Sequence, residues 1–352
     1  MSTCTIRRLS GAAAVLALSL TAAACGGGRE EAGDGGTAAP AEGTSTVRVG
    51  LPTTVTSFAN ADVVVAEELG YFDEAGLTVD VTNLRSGTSV TTGVVSGELQ
   101  VGGASIEPVI NASAGGGDIR IIGSYTDRLE VEMVTPNTIA SPEDLRGQNL
   151  GVQEIGAFRE VMTRMVLESA GMTQEDVNYI PTNADAYVSA LLQGRIVSAI
   201  LHPEQAIAVQ QQDATFHGLV NLYEIEPEYY YGVYFVAGNW LEDNQDTAQK
   251  FVQAVTRAHR TMYEDKAAVV PIIAEATGFE EAVIDQAWEV YMTEVQAFPQ
   301  NEGLEQGRLD YTVERMTELG TLRPGQEPDM GTLVDRDPIT AAVEELGKAD
   351  GR

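Results

Sequence analysis

Residues 85–109 read RSGTSVTTGVVSGELQVGGASIEPV. Two Gly/Ser/Thr turns each stand ahead of a segment with helical spacing, and an apolar strand lies between them. A helix N-terminus presents unpaired amide donors and roughly half a positive charge, so such turns either hold the polar end of a ligand or cap their own helix. Ser86, Gly87, Thr88 and Ser105 are the candidates here. The turns are not a nucleotide cradle, because a Walker loop needs Lys and Ser or Thr after its second glycine, and the lysines of the chain are Lys250, Lys266 and Lys348. The glycines instead let a backbone approach something small.

The turns sit in an alternation of strands and helices. TVRVGLP, LTVDVTNL, QVGGAS and DIRIIGSY read as strands, with helical segments between them, which argues for parallel βαβ units with ligand sites beyond the carboxyl ends of the strands. The pattern then recurs. With a shift of 97 residues Asn183 falls on Ser86, Tyr187 on Val90, Leu191 on Val94, Gly194 on Gly97 and Glu204 on Glu107. Upstream, LGVQEIGAFREVMTRMVLESAG echoes the first strand and helix. The expected fold is therefore α/β in two similar lobes, residues 46–131 with 233–352 and residues 132–232. LEVEMVTPNTIASPEDLRGQ and EIEPEYYYGVYFVAGNW are read as the two crossings of a hinge. The helical remainder from residue 246 is expected to pack on lobe one, with Trp288 and Tyr291 in its core.

On this frame the second lobe supplies Gly156, Ala157 and Asn183 as counterparts of the first turn. Phe58, Tyr125, Phe158 and Tyr187 fall at strand ends or helix starts, where rings cover flat or organic ligands. Phe58 and Phe158 each follow the first strand of a lobe in a loop of small or polar residues, and Asn60 shares the loop of Phe58. Glu107, Asp127 and Glu204 fall near the presumed mouth or floor, and His202, before Pro203, is expected as a hydrogen-bonding contact. The three histidines have no zinc spacing, and GASIE lacks the final glycine of a nucleophile elbow. Neither metal, cofactor nor catalytic residue is expected.

The N-terminus reads as an export signal over residues 1–24: Arg7 and Arg8, an apolar run from Leu9 to Leu20 too short to span a bilayer, then TAAAC. TAAAC resembles a lipobox that would acylate Cys25, where ordinary cleavage after Ala24 would instead leave a free thiol, and GGGREEAGDGGTAAPAEGTS then forms an unfolded tether over residues 25–45. Loss of Cys4 with the leader leaves Cys25 alone, which excludes an intramolecular disulfide. With 21 basic and 52 acidic residues and a net charge of −31, nucleic acid and anionic membrane surfaces are poor partners.

VRVGLPTTVTSFANADVVVAEELGYFDEAGLTVDV, SGELQVGGASIEPV and SPEDLRGQNLGVQ together resemble solute-binding proteins of bacterial ABC importers, in the branch serving nitrate, sulfonates, taurine and the pyrimidine precursor of thiamine. The resemblance covers about residues 45–320. It implies a periplasmic-binding-protein type II clamp, monomeric, that closes on a ligand and docks on a permease with its ATPase, held outside the bacterial membrane by a lipid anchor alone. Carboxylates beside bare nitrate would repel it unless Arg128 or Arg159 intervened, which favours an organic ligand with amine or ring N–H donors, such as a pyrimidine-like heterocycle, with a sulfonate or taurine-type zwitterion next. Two other classes share the fold. A pyrimidine-precursor synthase would need a pocket lysine, pyridoxal phosphate and several cysteines, and a sensor would dock the same clamp on a receptor.

Overall fold

The computed structural model describes residues 45–352. The leader, Cys25 and all of the tether before Ser45 lie outside the described residues. No helix among those described is long and apolar enough to cross a membrane.

Ten strands form two five-stranded sheets. Strand β1 (Ser45–Leu51), β2 (Leu77–Asn83), β3 (Val101–Ser105) and β4 (Ile119–Ser124) belong to the first, β5 (Glu132–Pro136), β6 (Asn149–Val152), β7 (Asn178–Pro181), β8 (Ser198–Leu201) and β9 (Phe216–Asn221) to the second, and β10 (Gly232–Ala237) returns to the first. The orders are β2-β1-β3-β10-β4 and β7-β6-β8-β5-β9. Alternation explains β1: Val47, Val49 and Leu51 are buried while Arg48 points out and bonds Gln100.

The stretches read as crossings contain strands that belong to the sheets. β5 and β10 enter their sheets antiparallel to their neighbours, and the chain passes between sheets in the shorter segments 125–131 and 222–231. A strand arriving from the other sheet runs against the local βα direction, so the parallel pattern breaks there.

The repeat is reproduced in register. Gly97 and Gly194 both take the left-handed conformation, with φ of 78° and 66°. Ser86 and Asn183 stand at the N-caps of equivalent segments, and Glu107 and Glu204 each occupy the first turn of the helix after an equivalent strand. The glycine pair of β3 has a different reason from the one expected. A Cβ on Gly102 would come within 2.5 Å of the Phe235 ring, and one on Gly103 within 2.9 Å of the Tyr234 ring, so the pair makes room for the aromatic strand β10.

Of the C-terminal helices, Gln245–Glu264 packs on Asp62–Glu68 and on Asp337–Leu346, within the first lobe. Helix Glu281–Trp288 packs on Pro203–Gln212 of the second. The latter continues into a π-helical stretch, Glu289–Glu294, that carries Tyr291 into the seam.

Candidate functional site

A cleft of about 40 Å³ opens where the carboxyl ends of the two sheets face each other. Seven of the expected residues line it: Asn60, Ser86, Gly87 and Ser105 from the first lobe and Ala157, Phe158 and His202 from the second. Ser57, Gln153, Glu154, Arg159 and Tyr231 join them. Ser86 caps helix Gly87–Val95 by accepting from the Ser89 amide, and Ala157 stands at the N-cap position of helix Phe158–Ser169 without a side-chain bond. Two helix N-termini from different lobes therefore reach one space. A neighbouring cavity of about 210 Å³ shares Thr53, Ser57 and Arg159 with it.

The cleft is floored by rings. Phe158 stacks on Tyr231 with centroids 4.1 Å apart and on His202 at 5.9 Å. Two polar atoms of its lining have no partner in the protein, Asn60 Nδ2 and Glu154 Oε2. Ser57 Oγ lies 3.2 Å from Asn60 Oδ1, and the Asn60 amino group is the remaining donor, with the Tyr125 hydroxyl near it. Arg159 is largely committed, with Nη1 donating to the Ile200 carbonyl, Nη2 to Gln205 Oε1, and the guanidinium 4.5 Å above the Tyr187 ring.

The other expected residues lie outside this lining; Glu204 lines the neighbouring cavity. The ring of Phe58 is fully buried, stacked at 4.2 Å on Tyr291 and close to Phe298; only its amide reaches the seam. Tyr125 packs edge-on to Tyr231 and Tyr234 beneath β10. Tyr187 is buried in the second lobe under Arg159. Asp127 is buried and receives both Arg352 nitrogens, at 2.9 and 3.0 Å, so it braces the first crossing. Glu107 accepts from the Tyr229 hydroxyl at 2.9 Å, and burial pushes its carboxyl up to about 6. Gly156 donates its amide to Glu160 at 2.9 Å, and Asn183 is exposed at a short helical turn. Thr88 faces an outer groove with Arg48 and Glu98. Phe58, Glu107, Tyr125, Asp127 and Tyr187 meet partners from distant sequence.

Sequence reading passed over Glu130, which is wholly buried between the lobes. Its Oε1 lies 2.7 Å from His202 Nδ1, and its other oxygen has no partner. Burial raises Glu130 to about 8 and depresses His202 to about 3, so the pair shares one proton and carries no net charge. The run Tyr229-Tyr230-Tyr231 was the available signal, since three consecutive rings in a crossing segment mark a buried junction; all three are buried.

The three lysines stand apart from the cleft in ion pairs: Lys250 with Asp246, Lys266 with Asp285 and Glu289, and Lys348 with Glu302. The described residues hold no group of three or more metal-ligating side chains.

The described residues thus form two lobes, with one antiparallel strand in each sheet and a cleft between facing helix N-termini. Residues 57–268 match the family described as NMT1/THI5 like, and the chain belongs to that family. A curated relative, 4-amino-5-hydroxymethyl-2-methylpyrimidine phosphate synthase of Aspergillus parasiticus, is 25% identical over 239 residues, 64% of this chain, and the chain spans 66% of that relative's length. Among solved structures, the alkanesulfonate-binding protein SsuA of Xanthomonas axonopodis pv. citri bound to MOPS has a TM-score of 0.69 at 17% identity, over 84% of this chain and 100% of that one. The periplasmic nitrate-binding protein NrtA of Synechocystis PCC 6803 gives 0.71 at 14%, over 86% and 89%. These likenesses establish the fold as the two-lobed periplasmic-binding-protein type II fold.

Proposed function

We propose that the chain is the extracytoplasmic solute-binding component of an ABC importer, anchored through Cys25, that captures a small organic ligand between its lobes. The observation that carries this reading is the cleft itself: helix N-termini from both lobes, a stacked ring pair, and two polar atoms, one on each lobe, with no partner inside the protein. A free volume of about 40 Å³ holds only a few waters, so a ligand enters by separation of the lobes and a swing of Phe158 away from Tyr231. Asn60 supplies a donor, Glu154 an acceptor and Phe158 a face. Together they suit a flat molecule bearing both a lone pair and an N–H group, such as a pyrimidine-like heterocycle, ahead of a sulfonate or taurine-type zwitterion.

The enzyme relative favours a second reading, a pyrimidine-precursor synthase-like activity. The lysine positions weigh against it, since none lies at the cleft where a Schiff base would form. Turnover of a bound compound by the purified protein would decide for the enzyme. The test of binding is a thermal-shift screen of pyrimidines, sulfonates, taurine, nitrate and aromatic acids, because a ligand that binds only the folded clamp raises the melting temperature. A pyrimidine or a sulfonate is expected to give a shift and nitrate none.

A further inference from the structure

We propose that the cavity beside the cleft is a second compartment of the ligand site, one that takes an aliphatic arm ending in an amine, so that the preferred ligand has a polar head and a cationic tail. This rests on the clamp reading above. The cavity measures about 210 Å³ and shares Thr53, Ser57 and Arg159 with the cleft, so those side chains partition one continuous space. At about 30 Å³ for each water, it has room for an arm of roughly five heavy atoms, whereas the cleft of about 40 Å³ holds much less.

Three separate parts of the chain wall the cavity: the loop after β1 in the first lobe, the start of helix Tyr187–Leu192 in the second, and the corner between helices Lys266–Thr277 and Glu281–Trp288. The side chains where they meet are short, with Thr56, Ala184 and Thr277 among them, which is why the three elements approach without filling the space. Well-packed interiors leave few gaps larger than a water, and this one lies on the seam between the lobes. Its larger walls are apolar, from Val55, Val188 and Phe279. Val55 is 46% exposed and the other two are half-buried, so apolar surface remains for an arm to cover.

The charges select the end of that arm. Glu204, expected at the ligand from its place in the repeat, lines this compartment and is 1% exposed. Its two oxygens lie 3.3 Å from the Phe58 amide and 3.3 Å from the Tyr291 hydroxyl, one bond to each. An ionised carboxylate has about four lone-pair sites, so it can accept further donors. Asp185 lines the same cavity, and its Oδ2 accepts from the Thr54 hydroxyl of the other lobe at 3.3 Å, which closes the wall across the seam. Arg159 is the opposing charge, already bound to the Ile200 carbonyl and Gln205 Oε1. Two carboxylates against one committed guanidinium favour an ammonium over a second anion, and an ammonium in turn favours the ionised form of Glu204.

Isothermal titration with two homologous series tests the compartment. One is a pyrimidine amine carrying a methyl, butyl or aminobutyl group on its amine nitrogen; the other is methane-, butane- and aminobutanesulfonate. On whichever head binds, each methylene of the arm is expected to tighten binding roughly fourfold, and the terminal ammonium about tenfold more. Val188→Trp fills the compartment, so the three members of a series should then bind alike. Asp185→Asn, at an exposed position, should keep the gain from butyl and reduce the gain from the ammonium several-fold. Each readout is a ratio within one protein, and Asp185→Asn decides the charge even where Val188→Trp does not fold. A butyl compound no tighter than the methyl one in the wild type, or gains that survive Val188→Trp, overturns the second compartment and leaves the clamp reading in place. An ammonium gain unchanged in Asp185→Asn overturns the cationic tail. Binding of neither head overturns the clamp's ligand class and this compartment together.

Discussion

Glu130 Oε1 and His202 Nδ1 meet at 2.7 Å in a buried contact between the first crossing and the second lobe. With the carboxyl raised to about 8 and the imidazole lowered to about 3, the folded pair holds one proton between those limits. With ordinary values of 4.5 and 6.5 the unfolded pair also holds one between 4.5 and 6.5. From 6.5 to 8 the unfolded chain has fewer protons, so stability falls as the pH rises. From 4.5 down to 3 it has more, so stability falls as the pH drops. Glu107 and Glu132, each raised to about 6, add a decline between 4.5 and 6. The melting temperature is therefore expected to peak near 4.5 and decline through 8. Glu130→Gln should flatten the limb above 6.5. A wild-type melting curve level from 6.5 to 8 would contradict the assignment.

Phe58 and Phe158 separate stability from binding. Phe58 sits between Tyr291 and Phe298 with no exposure, so Phe58→Ala leaves a cavity in the core and should cost about 3–5 kcal/mol of unfolding free energy. Phe158 retains some exposure and lines the cleft. Phe158→Ala should cost less in chemical denaturation and more in the thermal shift produced by a ligand. Equal losses of stability would place both rings in one structural role.

Those two rings also mark how far the fold and site could be read beforehand. Each follows the first strand of a lobe, in a loop of similar composition, so local pattern gives them the same expectation. Their directions diverge because Tyr291 and Phe298, far along the chain, close over Phe58, while the matching place beside Phe158 is filled by Tyr231 of the second crossing. Periodicity and the glycine turns carry the repeat, which is why Ser86 with Asn183 and Gly97 with Gly194 occupy equivalent positions. Pairing between distant segments carries the rest. Asp127 shows this best, since nothing near it in sequence announces Arg352 or Arg308.

Asp127 is 1% exposed and holds Arg352 through two bonds, with Arg308 Nη1 at 3.6 Å. Removing one member of a buried pair leaves the other charged and unpaired. Asp127→Ala is expected to lower stability by about 3–5 kcal/mol in urea unfolding. Arg352→Ala should cost less, because Arg308 remains beside the carboxylate and the Arg352 side chain is itself 21% exposed. The reverse order would mean that Arg352 acts through packing and not through its charge.

Glu154 and Asn60 give the sharpest test of what the cleft accepts. Glu154 Oε2 is a buried acceptor and Asn60 Nδ2 a buried donor, on opposite lobes, and neither has a partner within the protein. A buried polar atom without a partner disfavours the folded state, so removing either demand should leave the melting temperature of the protein alone unchanged or raise it slightly. A ligand that donates an N–H to Glu154 makes a hydrogen bond to a charged group, of about 1.5–3 kcal/mol, so Glu154→Gln should weaken an amine-bearing heterocycle by roughly ten- to a hundredfold. The same change removes a negative charge facing an anion, and an alkanesulfonate should then bind no worse or better. Asn60→Ala should weaken either class, because the donor serves a ring nitrogen and a sulfonate oxygen alike. Isothermal titration of the three proteins with one compound of each class measures all of these. A Glu154→Gln variant that loses the sulfonate and keeps the heterocycle would reverse the ligand preference inferred from the cleft.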